Sequence, residues 1–135
     1  LILVMNRAAT GAQMAVRVTF VIQIVLGVAF WTGHLSGLVP VHIASGVILV
    51  LGLWVLAALG AQSGAPIGQV IAAGVWGAVV ILFGLTHDGI LTGGWHWLIQ
   101  VFHLLLGLGA IGQAEALGGR IRQAASPAPA PVATS

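Results

Sequence analysis

Five histidines, His34, His42, His87, His96 and His103, are the side chains whose type and spacing could carry chemistry. Each lies inside or at the edge of a long apolar run. A neutral imidazole in such a run leaves one donor and one acceptor to satisfy. Ionisable groups in apolar segments are costly, so a functional role is their default reading. His34 and His87 close two apolar runs, and His42 and His96 lie just inside the starts of the next two. All four therefore gather near one membrane surface, while His103, seven residues beyond His96, sits ~10 Å deeper at 1.5 Å per helical residue. No histidine falls in the opposite half.

Position separates the five. His34 and His87 are at helix ends near water and read as interfacial residues or helix C-caps. His96 stands between Trp95 and Trp97, where an aromatic interface belt and a ligand role are both open. His42, two residues past Pro40 and with Ser45 and Gly46 one turn on, reads as a ligand. So does His103, the deepest, with Phe102 and Leu104 beside it and no charge nearby.

Helical periodicity groups these residues into faces. His96, Gln100, His103, Gly107 and Ala110 share one face of a fourth helix, and His42, Ser45, Gly46 and Leu49 share one of a second. Gln23, Gly27, Trp31 and His34 align on a first, and Gly77, Gly84 and His87 on a third. Small residues let helices approach closely. Beside a ligating histidine they also leave room for a flat ring, and the sequence does not separate the two uses. A faint repeat accompanies the faces: Phe30-x-x-x-His34 and Phe83-x-x-x-His87 each precede a glycine-containing loop and a histidine early in the next helix, His42 or His96.

The elements that must position these faces follow from composition. The 135 residues are 59% hydrophobic and 4% charged, against ~25% charged in soluble domains, so lipid is the solvent that fits. A membrane helix needs ~20 apolar residues. Four runs qualify, Val16 to about Gly33, about Val39 to Ala61, about Ile67 to Thr86 and about Trp95 to Leu117. The first is as long as the others and no A-x-A site ends it, so it reads as a span rather than a cleaved signal. Met5-Asn6-Arg7 would serve as a start.

Between the runs lie Gly33 to Gly37 before Pro40, Gln62 to Pro66, and Asp88-Gly89 with Thr92-Gly93-Gly94. Such short connections make consecutive helices antiparallel neighbours. The expected fold is an all-α, integral membrane, four-helix up-down bundle. Its parts are an N-terminal segment 1–15, the bundle 16–119 and a disordered Pro/Ala-rich tail 120–135. Arg7, Arg17, Arg120 and Arg122 all fall on one side, which the positive-inside rule makes cytoplasmic, together with both termini.

Several classes drop out. With four arginines and no lysine there is no basic stripe for nucleic acid. The absence of cysteine removes disulfides, iron–sulfur clusters and c-type haem attachment. No G-x-S-x-G, H-E-x-x-H or phosphate-binding pattern occurs. Glu115 lies at the end of helix four remote from the histidines, which argues against a proton relay through it.

In an up-down bundle, helices two and four are diagonal partners, and His42 and His103 would face each other across the core. A macrocycle with its metal between two imidazoles fits that arrangement. Bis-histidine ligation favours electron transfer over oxygen chemistry. From the helix starts, His103 lies ~9 Å below His42. From the cytoplasmic ends the gap shrinks. If tilt does not absorb the rest, His96 is the better partner for His42.

The segments Val41-His42-Ile-Ala-Ser-Gly46 and His96-Trp-Leu-Ile-Gln-Val-Phe-His103 resemble one half of a haem A synthase. They are also similar to other small four-helix b-type cytochromes of bacterial membranes. The resemblance covers roughly residues 17–117 and rests on histidine placement. It implies His42 and His103 as axial ligands of a haem b. Synthase activity is not expected, because helices one to three contain no acidic residue.

The expected protein is thus an electron carrier of the bacterial inner membrane. Its haem would lie in the outer half of the bilayer, and His42, Gly46, His96, Gln100 and His103 are the candidate cofactor contacts. Its expected partners are a quinol or membrane redox partner, within a larger complex or oligomer. The alternatives are a haem-free accessory or assembly subunit and a chlorophyll- or metal-binding membrane protein. A zinc or copper site would need three or four convergent ligands.

Overall fold

A computed structural model of the chain describes residues 1–126. Four helices follow one another: α1 (Ile2–Trp31), α2 (Val39–Gln62), α3 (Ile67–Thr86) and α4 (His96–Ala125). Short 3-10 turns occupy Ser36–Leu38 and His87–Gly89, and no strand occurs among the described residues. The all-α four-helix bundle expected from the apolar runs is the fold observed.

The helix ends follow the glycines. At the end of α1, Gly33 takes the left-handed conformation at φ +79°. The His34 amide then donates to Ala29 and the Gly33 amide to Phe30. Gly64, φ +78°, closes α2 the same way, with Ala65 donating to Gly60 and Gly64 to Ala61. Both are Schellman ends, which use glycine because it pays no Cβ penalty there. Pro40 sits in the first turn of α2 and Pro66 immediately precedes α3, where a missing amide proton costs nothing.

Helices α1 and α4 each run 30 residues, ~45 Å at 1.5 Å per residue, longer than the apolar runs within them. Residues 2–15, expected as a separate segment, are helical and continuous with α1. They are rich in alanine, carry no proline and so have nothing to stop a helix. Likewise α4 passes Arg120 and ends at Ala125. The disorder expected of the tail concerns, beyond Ser126, residues outside those described.

Helices α2 and α4 each pack against all three others, so they form the short diagonal of the bundle. The core sits toward the arginine end. Its fully buried side chains include Val16, Val50, Leu53, Leu56, Leu117 and Ile121. Two tryptophans tie helices together there, Trp54 Nε1 donating to the Gly74 carbonyl at 3.1 Å and Trp76 Nε1 to that of Leu106 at 2.9 Å. Arg17 reaches Glu115 in a two-pronged pair at 2.6 and 2.7 Å. Gln13 donates to the same carboxylate at 3.1 Å and accepts from Arg122. The two termini therefore share one end of the bundle.

The outside is apolar: Ile67, Leu82 and Leu85, for example, are more than half exposed. Segments Leu3–Trp31, Ser36–Gln62, Ile67–Gly89 and His96–Ala125 are each long and apolar enough to cross a membrane. Backbone groups satisfied within each helix meet the requirement of a hydrocarbon solvent. The chain is a multi-pass membrane bundle, and its exposed leucines and isoleucines are its lipid face.

Candidate functional site

At the end away from the arginines, the four helices leave a cavity of about 450 Å³. A smaller one of about 60 Å³ adjoins it. Gln23, His42, Gly46, Gly84 and His103 line both, so the two spaces meet at the His42–His103 pair. The centres of those two rings are 6.2 Å apart and their planes cross at 52°. The depth gap counted from the helix starts is thus absorbed. His42 is in the first turn of α2, and α4 begins only at His96 after a raised loop.

Each ring is held by a different neighbour. Helix α1 serves His42: the Phe30 ring meets it edge-on at 5.4 Å, and a Cβ on Gly27 would come within 4.0 Å of its Cε1. Gln23 Nε2 donates to the His42 carbonyl and to Ser45 Oγ at 2.7 Å, and Ser45 donates to that carbonyl at 3.1 Å. Helix α3 serves His103. Phe83 stacks on it at 5.9 Å, His87 at 4.9 Å with planes only 3° apart, and a Cβ on Gly84 would lie 3.3 Å from its Cε1. Viewed this way the repeat pairs Phe30 with His42 and Phe83 with His103. His96, the expected counterpart of His42, is displaced by the longer α3–α4 connection.

Hydrogen bonding divides the five histidines. His34 Nδ1 pairs with the Thr32 hydroxyl at 3.2 Å. His87 Nδ1 donates to the Gly84 carbonyl at 3.0 Å, and its Nε2 lies 3.3 Å from Asp88 Oδ1. His96 Nδ1 donates to the Ile90 carbonyl at 3.1 Å. By contrast, the Nδ1 atoms of His42 and His103 are buried with no partner. Buried polar atoms are almost always paired, and an exception calls for an explanation. The two orphaned imidazoles are the two that face each other across the bundle.

Of the remaining candidates, Gly46 and Gln100 line the larger cavity. His96 stacks on His87 with ring centres 6.3 Å apart. The sequence reading missed two participants. His87, read as a boundary residue, lies flat against His103. Gln23, noted only as part of a stripe, anchors the turn that carries His42. Its signal was the i, i+4, i+7 run Gln23, Gly27, Phe30, which faces His42 as a unit.

No group of three or more His, Cys, Asp or Glu side chains among the described residues converges as a metal site. What the site offers is two imidazoles from diagonal helices beside a cavity of mixed apolar and polar lining. Compared with known protein families, curated proteins and solved structures, the chain matches none.

Proposed function

We propose that the chain is a small b-type cytochrome of the bacterial inner membrane, with His42 and His103 as the axial ligands of one haem b. The observation that carries this reading is the pair of half-buried imidazoles, each with a buried Nδ1 that has no partner, with ring centres 6.2 Å apart. A metal held ~2 Å from one nitrogen of each ring calls for ring centres about 6 Å apart. A metal also uses a lone pair that nothing in the chain uses. The cavity of about 450 Å³ lies within the ~300–1,000 Å³ range of cofactor sites. Gly27, Gly46, Gly84 and Gly107 all line it, which keeps its walls thin.

When bound, such a haem supplies one-electron chemistry, and filling both axial positions favours electron transfer over reaction with oxygen. The chain's own residues do the rest. Phe30 and Phe83 flank the ligands, Gln23 and Ser45 hold the His42 backbone, and His87 covers His103. The positive-inside rule places the arginine end and both termini in the cytoplasm, and the haem in the outer leaflet. A quinol or membrane redox protein would be the class of electron donor, and an outer-side partner the class of acceptor.

The test is a visible spectrum with a pyridine haemochrome assay on the purified protein. A Soret band and a reduced α-band of b-type are expected, and His42→Ala and His103→Ala should each lose the same haem. A preparation that stays colourless with added haemin rejects the cytochrome and leaves a haem-free accessory subunit. Full haem content in His103→Ala would overturn the ligand assignment alone.

A further inference from the structure

We infer that Gln23 is the positioning residue for His42, acting through the backbone of the turn that bears the imidazole; as a statement about a haem ligand this rests on the reading above. Helix α2 starts at Val39 without a side-chain cap, and the 3-10 turn before it satisfies the Val39 amide through the Ser36 carbonyl. His42 is the fourth residue of α2, whereas His103 lies two turns inside α4. The His42 turn is thus the less embedded of the two, and a side-chain anchor for it must come from a neighbouring helix.

Gln23 supplies it from the middle of α1. Its amide nitrogen has two protons and spends them on the His42 carbonyl and on Ser45 Oγ. The Ser45 hydroxyl turns back onto the same carbonyl. The result is a closed triangle that fixes residue 42 before its side chain leaves the helix. Gly46 makes the triangle possible, because a Cβ there would lie 3.1 Å from Gln23 Nε2 and 3.6 Å from its Cδ. Apart from the histidines, Gln23 is the one polar side chain lining both cavities. In hydrocarbon, where water does not compete, such an interhelical amide bond persists. Its position beside the histidine pair, rather than anywhere else along α1, is what a positioning role requires.

The triangle can be disturbed from either side. Gln23→Leu removes the donors at similar volume, and Gly46→Ala keeps Gln23 but displaces its amide. Gln113→Leu, in the arginine half, controls for loss of a membrane-embedded amide. In the apo-protein, ring resonances of isotope-labelled His42 should shift in both variants and stay fixed in the control, with those of His34 and His96 unmoved. In haemin-loaded protein, both variants should alter the low-spin electron paramagnetic resonance signature and release haemin about tenfold faster, at unchanged stoichiometry.

A residue that only supports the fold would lower the unfolding midpoint and leave both signatures alone, and that result overturns the proposal. If haemin binds to none of the proteins, the cytochrome reading fails, and the apo-protein resonances still decide whether Gln23 places His42. If Gln23→Leu does not fold, Gly46→Ala carries the test.

Discussion

In the middle and arginine half of the bundle, glycines receive bulky side chains: Gly109 takes the Trp76 ring, Gly77 takes Trp54 and Val50, Gly118 takes Gln13 and Gly60 takes Leu117. In the histidine half Gly27 and Gly84 face imidazoles, Gly107 faces Phe20, and only Gly46 closely receives a side chain, the Gln23 amide. A Cβ at Gly27 or Gly107 would meet its first neighbour only at 4.0 or 3.8 Å, and Gly27, Gly46, Gly84 and Gly107 all border the same 450 Å³ void. The same residue type thus serves contact at one end and room at the other. Packing divides along the same line. The arginine half has a filled core and paired indoles, although Asn6, Gln69 and Gln113 each keep a buried oxygen without a partner there, whereas the histidine half holds a void bordered by two imidazoles with unpartnered Nδ1 atoms. The bundle is thus close-packed at one end and open at the other.

The comparison breaks first at Gly109. In Gly109→Leu the new side chain occupies the volume of the Trp76 ring and displaces its bond to the Leu106 carbonyl. Overpacking and an unmade buried hydrogen bond together cost roughly 4 kcal/mol. Unfolding in mixed micelles, followed by helical ellipticity, should show a large fall in midpoint or no folded protein. A wild-type midpoint would mean that α3 and α4 are not in close contact. Leu53→Ala comes next. Lipid is as apolar as leucine, so the transfer term nearly vanishes and the cavity term remains, about 2 kcal/mol. The same titration checks it.

The histidine half should respond with the opposite sign. His103→Leu exchanges an imidazole with an orphaned buried nitrogen for a side chain of similar size and no polar atom. Removing an unsatisfied buried group is worth ~1 kcal/mol, so the apo-protein should gain stability while losing haemin binding. A destabilised apo-protein would show that the imidazole is satisfied by something inside the bundle, and would weaken the case for a missing ligand.

How far this division was legible in the sequence depends on the interaction. The four spans and their breaks were plain, because hydropathy and positive-φ glycines such as Gly33 and Gly64 act locally. The pairing of His42 with His103 followed from up-down connectivity and two facing stripes. The ends of α1 and α4 were not marked, since residues 2–15 and 118–125 favour helix without being apolar enough to register as membrane. The role of His87 was hidden because closeness to His103 depends on how far the α3–α4 loop lifts α4. The two uses of glycine were indistinguishable for a similar reason: which one applies depends on the residue opposite. Gln23 looked like one more polar residue until its amide could be traced to the turn holding His42.

Gly84 lies on the boundary between the two regimes, which makes it the finest probe of the comparison. It sits on α3 opposite His103, and a Cβ there would lie 3.3 Å from the ring carbon Cε1. That is tight contact rather than collision, and the neighbour must yield by a few tenths of an ångström. His103 can yield because its far side borders the void, unlike Trp76 opposite Gly109. Gly84→Ala should therefore leave the unfolding midpoint of the apo-protein within ~0.5 kcal/mol of wild type, the usual scatter of benign substitutions. Helix propensity favours alanine over glycine by about as much as the contact costs. The effect should appear in the ligand instead. If His103 is a haem ligand as proposed, a displaced ring would approach the metal less well, and haemin should bind about threefold more weakly, equivalent to ~0.7 kcal/mol. Haemin titration of the apo-protein reads this directly. A fall in apo-protein stability as large as that expected of Leu53→Ala would mean that Gly84 belongs to the packed regime, and that the space beside His103 is not there to admit a ring.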